Sequence, residues 1–270
     1  MKHVKIIFCM ERKIIVCDVD GTTLKAGENY FKKEVKDAFN KVLNEKSYLV
    51  VASGRTYRNL YKIFDKNNDV IYIAENGNQI VFNNEFLKIN KFEKEKSLGI
   101  IKYLYSVKKE LIDILISTPF EAIYYEDSNI YIDEEEEPRY KNIDLDGLIS
   151  YLTNKEVIKI SIFKEKRDKR FYEIYDFLIK KFKDIEVFDA NNRWIDISPL
   201  NGNKGDALKY VIEKFDISNF PLYVFGDGEN DISMLTLTKN SYSPNDALEK
   251  VKKIVNHQYV RFEEVISSIF

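Results

Sequence analysis

Cysteine is nearly missing from this chain. Its two residues, Cys9 and Cys17, both lie in the opening segment of 270 residues. Two thiols so close together cannot staple a fold, so they read as reduced cysteines in a cytoplasmic protein. Neither is followed six residues on by arginine, which excludes a thiolate nucleophile held in a Cys-to-Arg anion loop and leaves Cys17 as core packing. No stretch approaches the roughly 18 apolar residues of a membrane span, and the apolar patch before Met10 is too brief for a secretory core. A soluble protein without a membrane partner is the expectation. Met10, just ahead of the first strand, is an alternative start that would leave residues 1 to 9 as an extension. Neither sign of charge is in excess, with 42 Lys plus Arg against 44 Asp plus Glu. Nothing therefore argues for nucleic acid, and a small molecule is the default partner. The one dense charge run, Glu134-Glu135-Glu136-Glu137, reads as a solvated loop. Glycine-rich nucleotide cradles are absent: Gly226-Asp227-Gly228 lacks the third glycine of a dinucleotide fingerprint, and no phosphate-loop lysine motif occurs.

What is present is organised around Ile14-Ile15-Val16-Cys17-Asp18-Val19-Asp20-Gly21-Thr22. The β-branched run predicts a strand buried on both faces, ending in two carboxylates that begin on the same side. Acids at the mouth of a buried strand are costly to desolvate without a cation or a proton. A calcium loop beginning at Asp18 is excluded, since Gly21 comes too early and the twelfth position is Asn29. Val35, Ala38, Phe39, Val42 and Leu43 recur at helical spacing, and Tyr48 to Ala52 reads as a second buried strand. That strand runs into Ser53-Gly54-Arg55-Thr56 and a helix, and a third strand, Val70 to Ala74, ends at Glu75-Asn76-Gly77. Strands alternating with helices predict a parallel sheet whose ligands bind at the carboxyl ends of the strands.

The rhythm changes near Asn83. A helix from about Phe92 to Lys108 precedes short alternating strands at Asp113 to Ile116, Ala122 to Tyr125 and Ile130 to Ile132. A strand from Val157 to Phe163, a helix from Arg170 to Phe182, and strands at Glu186 to Phe188 and Trp194 to Ile197 follow. Residues 84–187 read as an inserted α+β domain, flanked by core segments 1–83 and 188–270. Lys204-Gly205 then opens a helix, and the strand Leu222 to Phe225 ends in Gly226-Asp227-Gly228-Glu229-Asn230-Asp231.

Four motifs thus occur in order at strand or helix ends: Asp18-Val19-Asp20-Gly21-Thr22, Ser53-Gly54-Arg55, Lys204-Gly205, and Gly226-Asp227 with Asn230-Asp231. In this order they resemble the haloacid dehalogenase-like hydrolases, and the insertion resembles the cap of the Cof-type, or IIB, phosphatases of that superfamily. The resemblance implies an α/β fold, a Rossmann-like parallel-sheet core with an inserted α+β cap. It also implies a Mg²⁺-dependent phosphatase acting on small phosphate monoesters, such as sugar phosphates, through an aspartyl-phosphate. Asp18 would be the nucleophile and Asp20 the proton donor. Ser53, the Gly54 amide, Lys204 and Asn230 would hold phosphate. Mg²⁺ would sit on Asp18, the Asp20 carbonyl and Asp227, with Asp231 in support. Arg55 reads equally as a surface ion pair and as a structural contact. His3 and His257 stand outside every motif, which argues against a phosphohistidine. Two positions depart from the family pattern: Asn78 where alanine is usual, and the segment Asn240 to Ala247, which lacks a glycine often found there. A phosphosugar mutase of the same superfamily and a non-catalytic phosphate-binding or receiver-like signalling module are the rival readings.

Overall fold

The computed structural model describes residues 11–25, 28, 30–107, 113–123, 144–164, 168–190 and 194–270. Cys9, Met10, the four glutamates and the strand expected at 130–132 lie outside them. In chain order the described residues form β1 (Ile14–Cys17), α1 (Lys33–Asn44), β2 (Tyr48–Ala52), α2 (Tyr57–Ile63), β3 (Ile71–Ala74), β4 (Gln79–Phe82) and β5 (Glu85–Ile89). Next come α3 (Lys94–Ser106), β6 (Asp113–Ser117), β7 (Ala122–Ile123), α4 (Leu145–Leu152), β8 (Lys159–Phe163), α5 (Lys169–Lys181), β9 (Ile185–Ala190) and β10 (Trp194–Pro199). The chain ends with α6 (Lys204–Lys214), β11 (Leu222–Phe225), α7 (Ile232–Leu235), β12 (Asn240–Pro244), α8 (Glu249–Lys252), β13 (His257–Tyr259) and α9 (Phe262–Ile269).

Eight strands pair in the order β13-β12-β11-β1-β2-β3-β4-β5. The six from β13 to β3 run parallel, and β4 and β5 continue the edge antiparallel. This is the expected α/β core. The strand order reverses at β1, which has β2 on one side and β11 on the other, and such a reversal opens a crevice beyond the carboxyl ends of the strands. Alternation along β1 sends Ile15 and Cys17 to one face, among Phe39, Val51 and Phe262, and Ile14 and Val16 to the other, among Leu208 and Val211 of α6. Cys17 is core packing, and burial drives its thiol upward, far from reactivity. The next even position, Asp18, emerges on the α6 side, where Lys204 opens the helix.

A second sheet, β7-β6-β8-β10-β9, is antiparallel throughout. One face packs against helices through Ile100, Leu104, Leu148, Ile160, Ile162, Ile174, Ile195 and Ile197. The period of two turns Ser161, Asp196 and Ser198 to the opposite face, yet all three are buried.

Strand pairing draws the edges of this unit differently from the expected 84 and 187. Asn83 and Asn84 both take left-handed conformations (φ 50 and 62), the geometry of a two-residue hairpin turn, so β4 folds back into β5 and the first sheet extends to Ile89. At the other end β9 and β10 pair with each other and with β8, so the second sheet runs to Pro199. The helix α4, capped by the Asp144 side chain on the Gly147 amide, was not expected from the sequence.

Candidate active site

Asp18 leaves the end of β1 almost fully buried, and the α6 register places the Lys204 ammonium 2.6 Å from its Oδ1. The same ammonium stands 2.6 Å from Oδ1 of Asp231, and its side chain has no exposed surface. A cation in the first turn of a helix opposes the helix dipole, and here two carboxylates compensate it. Burial alone would push Lys204 down, but Asp18 and Asp231 outweigh that and hold the ammonium firmly charged. Burial raises Asp18 well above the carboxylate range; Lys204 opposes this, while Asp231, Asp227 and Asp20 add to it.

The loop after β11 returns acids to the same point. Oδ2 of Asp231 accepts from the amides of Asp227 (3.0 Å) and Gly228 (2.9 Å), while Oδ1 of Asp227 accepts from the Thr22 hydroxyl at 2.7 Å. Gly21 lets the two loops meet: its φ is +88, and a Cβ there would stand 2.3 Å from Oδ2 of Asp227. Carboxylate oxygens of Asp18, Asp227 and Asp231 lie within 4.8 Å of one another. Ionised together, the three carboxylates would exceed the one ammonium by two charges, and an all-oxygen donor set fits a hard divalent cation that would let them ionise.

Asp20 does not join that group. The chain turns at Asp18, and the Asp20 carboxylate is held by the fork of Arg55, with Nη2 2.6 Å from Oδ1 and Nε 2.7 Å from Oδ2. Arg55 also donates to Oδ1 of Asn59 (2.8 Å) and to the Glu28 carbonyl (3.1 Å). Two parallel bonds fix the carboxyl plane, so Arg55 is a structural contact for Asp20 rather than a surface ion pair.

Ser53, nearly without exposed surface, accepts from the Arg55 amide at 3.2 Å. Its loop is zipped to the turn after β3, where Asn76 N donates to the Ser53 carbonyl (2.9 Å) and Glu75 N to the Arg55 carbonyl (3.0 Å). A Cβ on Gly54 would come within 3.1 Å of the Asn76 side-chain oxygen. That same oxygen accepts from Nδ2 of Asn230 at 3.0 Å. The expected residues thus form three adjoining groups: Asp18, Lys204, Asp227 and Asp231; Asp20 with Arg55; and Ser53, Gly54 and Asn230 around Asn76.

A family model of haloacid dehalogenase-like hydrolases matches residues 15–264. The chain belongs to this family. It is similar to the 5-amino-6-(5-phospho-D-ribitylamino)uracil phosphatase YbjI of Escherichia coli (strain K12), 24% identical over 241 residues, covering 88% of this chain and 87% of that protein. The fold is shared with a haloacid dehalogenase-like hydrolase from Bacteroides thetaiotaomicron (TM-score 0.77, 21% identity, 96% of this chain and 100% of that one). It is also shared with the sugar phosphatase BT4131 of subclass IIB (TM-score 0.76, 17% identity, 95% of this chain and 98% of that one).

Sequence reasoning missed five contributors to this hydrolase's site: Thr22, Glu75, Asn76, Lys159, and Asp196, whose Oδ2 accepts from Nδ2 of Asn76 at 2.7 Å. The buried Glu75–Lys159 pair at 2.5 Å joins the turn after β3 to β8, and Lys159 also donates to the Gly54 carbonyl at 2.7 Å. Consecutive left-handed residues, Glu75 and Asn76 (φ 52 and 58), mark that turn, and a Glu-Asn-Gly run is the local signal for it. Among the described residues no helix is long and apolar enough to cross a membrane.

The acid cluster makes stability depend on pH in a way that can be read out. Burial first, then Asp231, pushes Asp227 up to about 7 against the hydrogen bond from Thr22 and the charge of Lys204. An unfolded Asp227 loses its proton near 3.8, so between that value and about 7 the folded state binds more protons and rising pH costs stability. In chelator, wild-type protein is expected to lose about 2 kcal/mol more than Asp227→Asn between pH 5 and pH 8, by urea unfolding at each pH. A divalent cation held by these acids should close the gap. Parallel profiles for the two proteins would contradict the crowding of charge at this site.

Proposed function

We propose that this hydrolase is a Mg²⁺-dependent phosphatase of small phosphate monoesters, working through a phosphorylated Asp18. The observation that carries the reading is the pairing of a buried strand-end carboxylate with a wholly buried lysine, beside two further acids of the crevice. Asp18 attacks phosphorus as the ester P–O bond breaks, and Asp20 gives its proton to the departing alkoxide. Asp20 then takes a proton from the water that cleaves the Asp18–phosphate bond and returns the free carboxylate. Arg55 keeps the Asp20 carboxyl turned one way throughout both transfers. Ser53, the Gly54 amide and Asn230 bind the equatorial oxygens, and Lys204 orients Asp18 while offsetting its charge.

Asp18, the Asp20 carbonyl and Asp227 would hold Mg²⁺, which when bound spreads the charge of a phosphate dianion approaching carboxylates. Both oxygens of Asp231 are engaged, by Lys204 and by two amides, so its part is to hold the loop and the lysine. The five-stranded unit is the cap, and its place at the ligand end of the core lets it contact the leaving group and choose among esters.

Phosphate release from a panel of sugar phosphates, nucleotides and cofactor phosphates tests the reading. At least one ester should turn over with Mg²⁺, and excess chelator should reduce its rate at least tenfold. Release that continues undiminished in chelator would overturn the metal's part. Quantitative return of phosphate to a second position of the sugar would favour a mutase.

A further inference from the structure

Asn230 can hold an oxyanion in only one of its two amide orientations. An asparagine serves an anion with its NH₂ end, and the reverse orientation would present carbonyl lone pairs to phosphate. Nothing local to the loop Gly226 to Asp231 enforces that choice. A chain of buried groups from the second sheet does. Nδ2 of Asn230 donates to Oδ1 of Asn76 at 3.0 Å, Nδ2 of Asn76 donates to Oδ2 of Asp196 at 2.7 Å, and the Ser161 hydroxyl donates to Oδ1 of Asp196 at 2.6 Å. Asn76, Ser161 and Asp196 have at most 6% of their surface exposed.

A carboxylate only accepts hydrogen bonds, so Asp196 obliges Asn76 to turn its NH₂ toward β10 and its carbonyl toward the crevice. That carbonyl in turn obliges Asn230 to point its nitrogen inward, and the second N–H on that nitrogen remains for an oxyanion. Were residue 196 a neutral amide, either orientation of Asn76 would be satisfied and the sense of the chain would be lost. The same face of the second sheet grips the neighbouring phosphate loop as well, through Lys159 and the Gly54 carbonyl.

We propose that Asp196, carried by the second sheet, is a positioning residue that acts through Asn76 to present the donor end of Asn230 to phosphate. This rests on the reading of Asn230 as a phosphate ligand.

The test is a double-mutant cycle read with inorganic phosphate as competitive inhibitor, alongside KM, kcat and thermal unfolding. Asn230→Ala should raise the Ki for phosphate about tenfold. Asp196→Asn, nearly isosteric, should raise it about fivefold, and Asn230→Ala/Asp196→Asn should be no weaker than Asn230→Ala alone. The exchange Asn76→Asp/Asp196→Asn keeps every hydrogen bond and reverses only the one between positions 76 and 196, since a carboxylate at 76 would accept from Asn230 and from the amide at 196, whose oxygen still accepts from Ser161. It should fold and return Ki to within about twofold of wild type. An unchanged Ki in Asp196→Asn, multiplicative effects in the double variant, or an exchange variant as weak as Asp196→Asn would each overturn the proposal. An unchanged Ki in Asn230→Ala would instead overturn the reading of Asn230, and the proposal with it.

Discussion

Asp18→Asn is expected to abolish phosphate release, with a fall of about 10⁴-fold or more, while leaving a folded protein. The substitution keeps the shape of the side chain and an oxygen able to accept from Lys204, but an amide oxygen does not form a stable bond to phosphorus. Stability should hold or rise, because one of the three crowded acids becomes neutral while Lys204 keeps Asp231 2.6 Å away. Activity and stability therefore move in opposite directions, which separates this outcome from simple misfolding. A variant that retained a tenth of wild-type turnover would mean that Asp18 is not the nucleophile.

Lys204→Met should fail in both respects. Its ammonium is buried between Asp18 and Asp231, and methionine fills similar volume without charge. Removing one partner from a buried ionic group costs about 3–5 kcal/mol, since the acids left behind remain desolvated. Activity should fall about 10³-fold, as Asp18, the proposed nucleophile, loses its anchor and the transition state a nearby cation. The sign of the pH dependence is diagnostic. Acidification protonates the orphaned acids, so the stability deficit of Lys204→Met should shrink from pH 8 to pH 5. Urea denaturation of both proteins at the two pH values measures it; a deficit under 1 kcal/mol at pH 8 would show that the lysine is not what balances these charges.

The sequence made the core legible because the signals that build it are local. Apolar β-branched runs announced β1, β2, β3 and β11, and Asp18, Ser53 and Asp227 stand just beyond three of those strands. Periodicity also marked α1, α5 and α6. Partners distant in sequence were not legible. Asn76 and Asp196 are 120 positions apart, and Arg55 and Asp20 are 35 apart, so no window of the chain contains either pair. The edges of the cap went astray for a different reason. Asn83-Asn84 carried the hairpin signal, but β4 and β5 are short and flank a change of rhythm, so the break was placed at the turn rather than after it. At the far edge β10 leads directly toward Lys204 and reads as part of the core, although its hydrogen bonds go to β8 and β9.

The two places where the chain passes between the sheets lie side by side: Nδ2 of Asn90 donates to the Leu200 carbonyl at 3.2 Å. An insert whose ends meet imposes no stretch on its host, so it can be exchanged as a cassette between relatives without rebuilding the core. The graft must nevertheless match at a few host positions. Residues 90–199 carry Lys159, Ser161 and Asp196 with them, and these find their partners only where the recipient supplies the equivalents of Glu75 and Asn76. Chimeras that transplant the cassette together with the Glu75 to Asn78 turn should therefore keep both specificity and rate, whereas those that join a foreign cap to a mismatched turn should inherit the specificity and lose the rate.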